Sequence, residues 1–234
     1  MPYTKSQARK TFDTEIDKMI SDIKSTFVNK AISNDTKRYV LSCCVMLGSA
    51  KIEVYIEDFF DSWVNKINTT PLTSSHLPNN LKALYLNQPF LNNGFKKLIV
   101  ENSESKYFES VAEQLNNKNF QLTDLAKSLP RLDSKRIYQH KKYPSPDNVE
   151  ALFKRIGINK IFNELNKSAK ADLENVLRSF NDIRTSIAHD GVPVGVNDKD
   201  IIENLKHIKN FIYHIDKTLF KHINRYTTIA TWTS

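Results

Sequence analysis

The chain has 234 residues, of which 40% are hydrophobic and 26% charged, a composition that fits one folded domain spanning 1–234 and excludes a disordered chain. No uninterrupted apolar run approaches the roughly 20 residues that span a bilayer, and the first residues contain no apolar signal segment, so we expect a cytoplasmic protein without a membrane partner. The net charge of +8 favours a polyanionic partner, because lysine and arginine attract phosphates at long range and release counterions on binding.

Two long helices are predicted in the first third of the chain. Apolar residues recur every three or four positions over residues 7–32, which indicates one buried helical stripe. A second helix, over about residues 36–67, has a wider apolar face and is predicted to be the central core helix. It contains the two cysteines, Cys43 and Cys44, whose adjacency in an apolar stretch excludes a disulfide framework or a tetrahedral zinc site and indicates core packing.

The middle of the chain is predicted to be less regular. Residues 68–80 are typical of a turn-rich connection, and an irregular helical region follows to about residue 129. Residues 131–148 are polar, basic and interrupted by prolines, so we predict an irregular basic insertion on the surface. Ser145 and Pro146 then predict the N-cap and the first turn of a helix.

Two amphipathic helices are predicted near the C-terminus, over about residues 168–187 and 198–226. Between them, residues 192–196 give the chain's one strand-like pattern. These elements predict an all-α fold, a bundle of long antiparallel helices with a mainly helical or loop insertion.

The stretch richest in functional groups is NDIRTSIAHDG, residues 181–191. Arg184 can hold a phosphate through two parallel hydrogen bonds, and His189 can transfer a proton near pH 7. On a continuous helix the two side chains would diverge by roughly 140°, but we expect the last turn of the helix to bring His189 round. A purely structural interpretation pairs Arg184 with Asp182 or Asp190 and lets His189 cap the helix carbonyls.

Other catalytic arrangements are disfavoured by the sequence. The five glycines form neither GxGxxG nor GxxxxGK[ST], which excludes a Rossmann or P-loop nucleotide site. Ser186, His189 and Asp190 crowd one helical turn and offer no nucleophile elbow for acyl transfer. His207 and His214 stand roughly 10 Å apart on the last helix, too far to share one zinc ion, so we expect them at the surface or an interface.

The pattern Arg184-xxxx-His189 resembles the Rx4-6H motif of the HEPN superfamily. The sequence SAKIEVYIEDF in the central helix likewise resembles the early core helix of the HEPN families related to RiboL-PSP ribonucleases. The resemblance implies a helical bundle that dimerises and brings two Arg/His motifs into one cleft, where RNA is cut without a metal or any other cofactor. Glu53 corresponds to an acidic position of related families and could orient His189 or Arg184, and Asn181 and Asp182 could position Arg184 in the same way. The alternative for all three is an ordinary solvated helix face.

A second candidate site is the basic segment of residues 135–143, KRIYQHKKY. Cations alternating with aromatic rings are typical of surfaces that hold single-stranded nucleic acid, although a solvated basic loop has the same composition. We expect this segment to hold RNA while the distant motif performs the chemistry. The predicted RNA-binding residues are Lys135, Arg136, Tyr138, Lys141, Lys142 and Tyr143.

The sequence thus predicts a metal-independent endoribonuclease of HEPN type, with RNA as substrate and a second copy of the chain as partner. Arg184 and His189 are the predicted catalytic residues. The resemblance further implies a toxin or an antiphage defence effector, restrained by a neutralising antitoxin or joined to another defence-system subunit. The alternative is a non-catalytic helical module that binds RNA or a nucleotide, or another protein.

Overall fold

The computed structural model describes residues 2–86, 104–105, 108–109, 122, 124–191 and 196–233. Within these residues the chain forms eight α-helices, two short 3-10 helices and one isolated bridge between Thr73 and Ser128, with no β-strand. The predicted all-α fold is therefore confirmed.

The helices, numbered in chain order, are α1 (Gln7–Val28), α2 (Asn34–Thr69), α3 (Asn79–Leu86), α4 (Lys135–Tyr138), α5 (Pro146–Arg155), α6 (Ile161–Ala169), α7 (Leu173–Asp190) and α8 (Asp198–Tyr226). The 3-10 helices are Ser74–His76 and Ile229–Thr231. Side-chain oxygens accept first-turn backbone N–H groups at five N-caps, which are Ser6, Ser33, Ser145, Asp172 and Asn197. Local sequence therefore fixes where each long helix begins.

Helix α1 runs antiparallel to both α2 and α8. It is joined to α2 by residues 29–33 alone, so it folds back along that helix. Against α8, Ser6 meets Asp216 near the start of α1, whereas Asp17 meets Lys209 further along it. The buried apolar stripe of α1 thus faces α2 and α8 together.

Helices α2, α7 and α8 meet at Gly48. A Cβ atom there would lie 3.1 Å from Leu205 and 3.3 Å from Phe180, so the glycine lets α7 and α8 approach the backbone of α2 closely. Asp190, at the end of α7, lines a cavity with Tyr39 in the first turns of α2. Helix α7 is therefore antiparallel to α2, and its C-terminal turn lies beside the start of α2.

Helix α2 has the length and apolar composition of a membrane-spanning segment, with a mean hydropathy of 1.4 over an 18-residue window. The core helix of a folded domain has the same properties. In this bundle Ile52, Phe59 and Trp63 of α2 are each at most 1% exposed. This burial identifies α2 as the core helix that the sequence predicts. Of its two cysteines, Cys44 is buried in the core as predicted, whereas Cys43 is exposed, which corrects its assignment to core packing.

The structure corrects the sequence-based elements in two places. The helix predicted over residues 168–187 begins only at Leu173, because Lys170 adopts a left-handed conformation (φ 54°) that ends the separate helix α6. Residues 131–148 are not a surface excursion throughout, since they contain α4, whose Ile137 and Tyr138 are 0% and 3% exposed. Residues 192–195 of the predicted strand lie outside the described residues, and the single-domain assignment stays a prediction.

One carboxylate is wholly buried where α1, α2 and α8 meet. Asp216 accepts hydrogen bonds from the hydroxyls of Tyr3 (2.6 Å) and Tyr55 (3.1 Å) and from the Ser6 backbone N–H (3.1 Å). The Ser6 hydroxyl donates to it as well, and Arg9 donates to the Tyr3 hydroxyl. Burial, aided by Asp216, raises the pKa of both tyrosines, so their hydroxyls remain protonated donors.

We expect Asp216→Ala to lower the free energy of unfolding by about 3 kcal/mol or more, because it leaves several buried donors without an acceptor. Asp17→Ala is the matched control: this carboxylate is 61% exposed and pairs with Lys209 at the surface, where a pair contributes about 0–1 kcal/mol. Urea denaturation followed by circular dichroism measures both. Equal losses in the two variants would contradict the role given to Asp216.

Candidate functional site

The predicted catalytic residues lie on the last two turns of α7. The helix begins at the Asp172 cap, whose carboxylate accepts the Asn175 N–H at 3.1 Å. It ends at Gly191, whose φ of 77° is favourable for glycine and whose N–H donates to the Ile187 carbonyl. His189 therefore stands in the last turn, at an exposed helix end.

Arg184 and His189 do not share a face of α7. The helix stays regular through Asp190, so the two side chains are separated by roughly 140° around the axis and by about 7.5 Å along it. Arg184 is half-buried, whereas His189 is exposed. The His189 side chain makes no hydrogen bond or ion pair with the described residues. The expectation that the last turn brings His189 round is wrong, because the chain leaves the helix only at Gly191.

The segment that precedes α5 crosses α7 beside Arg184. The Asn181 side chain, in a residue that is 8% exposed, donates from Nδ2 to the Pro144 carbonyl at 2.7 Å. The ring centroid of Tyr143 lies 5.4 Å from the guanidinium carbon of Arg184, within the range of a cation–π interaction. The sequence suggested that the basic segment is distant from the motif. In the structure the segment instead touches the motif through Tyr143.

An acidic row on α2 holds the other side of the basic segment. Its members, Glu53, Glu57 and Asp61, follow at four-residue intervals and share one face of the helix. Lys142 Nζ lies 2.8 Å from Glu57 Oε2, and this hydrogen bond raises the pKa of Lys142, with further contributions from the charges of all three carboxylates. Tyr138 donates its hydroxyl to Asp61 at 2.9 Å. The segment thus bridges α2 and α7.

The six residues predicted to bind RNA differ in burial: Lys135 is exposed, Tyr138 is buried, and the other four are half-buried. The segment has four cations and no carboxylate, against a net charge of +8 for the whole chain. Arg136 donates to a carbonyl of α3 and Lys142 to the acidic row, whereas Lys135 is exposed and Lys141 donates to a neutral amide of α5. The stacking role predicted for Tyr138 is wrong, because its ring is 3% exposed and packs against α2.

The supporting residues behave differently from one another. Asn181 does act on the surroundings of Arg184, through the Pro144 contact described above. Glu53 makes no hydrogen bond or ion pair with Arg184 or His189 among the described residues, and its charge acts on the basic segment instead. Asp182 is exposed, and nothing in the described part of the chain pairs it with Arg184.

Sequence reasoning missed Glu57, Asp61 and Pro144 as parts of this site. The two carboxylates carried a usable signal, since three acids at four-residue intervals on one helix face predict a partner for a nearby basic segment. Pro144 carried none, because it contributes only a backbone carbonyl.

Two cavities differ in the functional groups that line them. A cavity of about 290 Å³ adjoins the C-terminal turn of α7 and is lined by Asp35, Arg38, Tyr39, Ser42, Asp190 and Gly191. A roomier one of about 500 Å³ lies at the far end of α2, lined by residues 65, 67–73 and 128–131, with Arg131 as the charged side chain among them. The larger cavity has no acid–base group, so the smaller one is the better candidate for substrate contact.

The remaining histidines do not form a metal centre. Within the described ranges, no three His, Cys, Asp or Glu side chains come close enough to hold a metal ion. His207 is exposed beside Glu203, as expected. His214 is not at the surface: it is 7% exposed, lies 3.0 Å from the Ser168 hydroxyl through Nδ1, and burial lowers its pKa.

We expect Tyr138→Ala to lower the free energy of unfolding by about 3 kcal/mol, because it empties a buried aromatic site beside α2. The affinity for labelled single-stranded RNA, measured by fluorescence anisotropy on the folded variant, should stay unchanged. Val28→Ala is the control, since Val28 is 81% exposed at the end of α1 and its loss should change stability by about 0.5 kcal/mol or less. Weakened RNA binding with unchanged stability in Tyr138→Ala would contradict its assignment to the core.

Comparison with known proteins gives one match. No curated protein and no solved structure matches the chain. The sequence model of the RiboL-PSP-HEPN family, whose HEPN-type domain suggests a nuclease-type or RNA-related role, matches residues 14–221. That match runs from α1 to α8 and includes the whole of α2 and α7. The chain therefore belongs to the RiboL-PSP-HEPN family.

Proposed function

We propose that this chain is a metal-independent endoribonuclease of HEPN type that cuts single-stranded or looped RNA in the cytoplasm. Arg184 and His189 are its catalytic residues. The observation that carries the proposal is their placement at the exposed C-terminal end of α7, in a chain of the RiboL-PSP-HEPN family. Arg184 lies beside a segment with four cations, which adds attraction for a polyanion.

The proposed reaction uses the RNA's own 2′-hydroxyl as the nucleophile. His189 either removes the proton of this hydroxyl while water protonates the departing 5′-oxygen, or protonates that oxygen while water takes the 2′-hydroxyl proton. Arg184 stabilises the negative charge on the phosphoryl oxygens. A bond forms between the 2′-oxygen and phosphorus while the bond from phosphorus to the 5′-oxygen breaks. The products are a 2′,3′-cyclic phosphate and a 5′-hydroxyl, and no cofactor takes part.

The divergence of Arg184 and His189 on α7 supports a site shared by two chains. A second copy related by a two-fold axis can place its histidine near the first copy's arginine. Helix α2 offers a surface for such a dimer. Its exposed apolar residues lie within an arc of about 80°. We call these residues, which are Tyr39, Cys43, Leu47, Ala50 and Val54, the exposed face of α2.

A toxin or an antiphage effector is the biological role that fits this activity, since an enzyme that cuts cellular RNA has to be restrained. Its partner would then be a neutralising antitoxin or another defence-system subunit. The second candidate function is a non-catalytic module that binds RNA, a nucleotide or a protein. It is favoured by one observation: no described residue bonds to the His189 ring to fix its orientation.

We expect the purified chain to cut total RNA in excess EDTA and to leave 2′,3′-cyclic phosphate ends. Arg184→Ala and His189→Ala should each reduce the rate by about 100-fold or more, because each removes a group that acts in the transition state. His207→Ala is the control, since it removes an exposed histidine of α8 that lies beside Glu203 and outside the motif. Gel assays and circular dichroism report cleavage and folding. Cleavage abolished by EDTA, or full activity in His189→Ala, would contradict the mechanism.

We expect the active species to be a dimer and Leu47→Lys to convert it to an inactive monomer, because the substitution places a charge on the exposed face of α2. Val28→Lys is the matched control: Val28 is 81% exposed, but it lies at the end of α1, outside that face. Sedimentation equilibrium and cleavage assays measure both properties. A wild-type chain that is monomeric at concentrations where it cuts RNA would rule out the shared site.

A mixture of the two inactive variants sharpens the dimer test. In a heterodimer of Arg184→Ala and His189→Ala, one of the two shared sites keeps both functional groups, so the mixture should regain activity. If each chain used only its own pair of residues, both sites would stay inactive.

A further inference from the structure

We infer that Tyr143 is a positioning residue for Arg184: its ring holds the guanidinium in place for a phosphate, and it does not stack on an RNA base. The inference rests on the proposed function. It is carried by the 5.4 Å separation between the Arg184 guanidinium carbon and the Tyr143 ring centroid, and by the contacts that fix the backbone of Tyr143.

The backbone at Tyr143 is held from several directions. Its carbonyl accepts hydrogen bonds from the Ser145 N–H at 2.9 Å and from Asn148 Nδ2 at 3.1 Å. The Asn148 N–H in turn donates to the Ser145 hydroxyl, which caps α5. On the other side, Lys142 is hydrogen-bonded to Glu57 of the acidic row. The backbone that carries the Tyr143 ring is therefore set by the fold before any ligand binds.

Helix α7 directs the Arg184 side chain towards Tyr143. Asn181 lies one turn before Arg184 and joins α7 to the Pro144 carbonyl, next to Tyr143 in the chain. Helical side chains lean towards the N-terminus, so the Arg184 side chain extends over the turn that contains Asn181. The guanidinium of Arg184 therefore reaches the Tyr143 ring.

A ring suits this task better than a carboxylate would. Among the described residues, Arg184 forms no ion pair, although the sequence offered Asp182 and Asp190 as partners. An aromatic face attracts a guanidinium without neutralising it, and the N–H groups at the edge of its plane stay free for two hydrogen bonds to a phosphate. Tyr143 thus restrains a long, flexible side chain and leaves its full charge for the substrate.

The test separates positioning from base stacking by comparing rate with affinity. Tyr143→Leu removes the aromatic face, and Tyr143→Phe keeps it. In single-turnover cleavage at saturating RNA, we expect Tyr143→Leu to slow the reaction by about 10- to 100-fold, because a misplaced catalytic group loses that much. Tyr143→Phe should stay within about threefold of the wild type. Binding of a non-cleavable 2′-deoxy analogue should change by less than about threefold in both variants.

Three results would overturn the inference. One is an unchanged cleavage rate in Tyr143→Leu, and another is weakened binding with an unchanged rate, which would mean that the ring stacks on RNA. The third is an additive loss when Tyr143→Leu is combined with Arg184→Ala, because a residue that acts through Arg184 has no effect once Arg184 is gone.

A second measurement requires no activity and is decided on the wild-type chain. In the wild-type chain, NMR should show the δ-methylene protons of Arg184 shifted upfield by the ring current of Tyr143, and Tyr143→Phe should retain that shift. Random-coil values for these protons would overturn the inference. If the wild-type chain cuts no RNA, the proposed function fails, while this spectrum still decides whether Tyr143 holds Arg184.

Discussion

The buried carboxylate of Asp216 constrains the rest of the bundle. Removing a carboxylate from water is strongly unfavourable unless hydrogen-bond donors replace the water, and here the donors come from Tyr3, Ser6 and Tyr55. They belong to the N-terminal segment and to α2, so both elements have to meet α8 at one point. This requirement fixes the rotation of α2 about its axis, and with it the side of the bundle on which the acidic row lies.

The orientation of α2 in turn decides where the basic segment goes. Glu57 accepts a hydrogen bond from Lys142 and Asp61 accepts one from Tyr138, so two of the six residues predicted to bind RNA are hydrogen-bonded to α2. The chain that leaves these contacts reaches α7 at Asn181. Lys142 therefore has a structural use, and the segment's four cations overstate the positive charge that it leaves free for RNA.

Sequence periodicity was sufficient to predict the long helices but not the structure of residues 131–148. The helices follow from apolar repeats and from caps such as Ser145, which depend on neighbouring residues only. The burial of Tyr138 depends on α2, more than 70 residues earlier, so local composition could not reveal it. Asp216 did carry a signal that was overlooked, because it falls on the same helix face as Ile212, Leu219 and Ile223. The path of the segment before α5, which meets α7 at Asn181, had no signal in the sequence.

Arg184 and His189 have different surroundings, and this difference connects the proposed catalysis with the binding of a partner protein. Arg184 is half-buried beside the Tyr143 ring, whereas His189 is exposed and precedes Asp190, which lines a cavity together with Tyr39. Tyr39 also begins the exposed face of α2, so a protein that covers this face would contact the end of the motif as well. A second copy bound there would supply the contacts that His189 lacks. An inhibitor bound at the same place would displace that copy, so one surface could serve both to complete the site and to silence it.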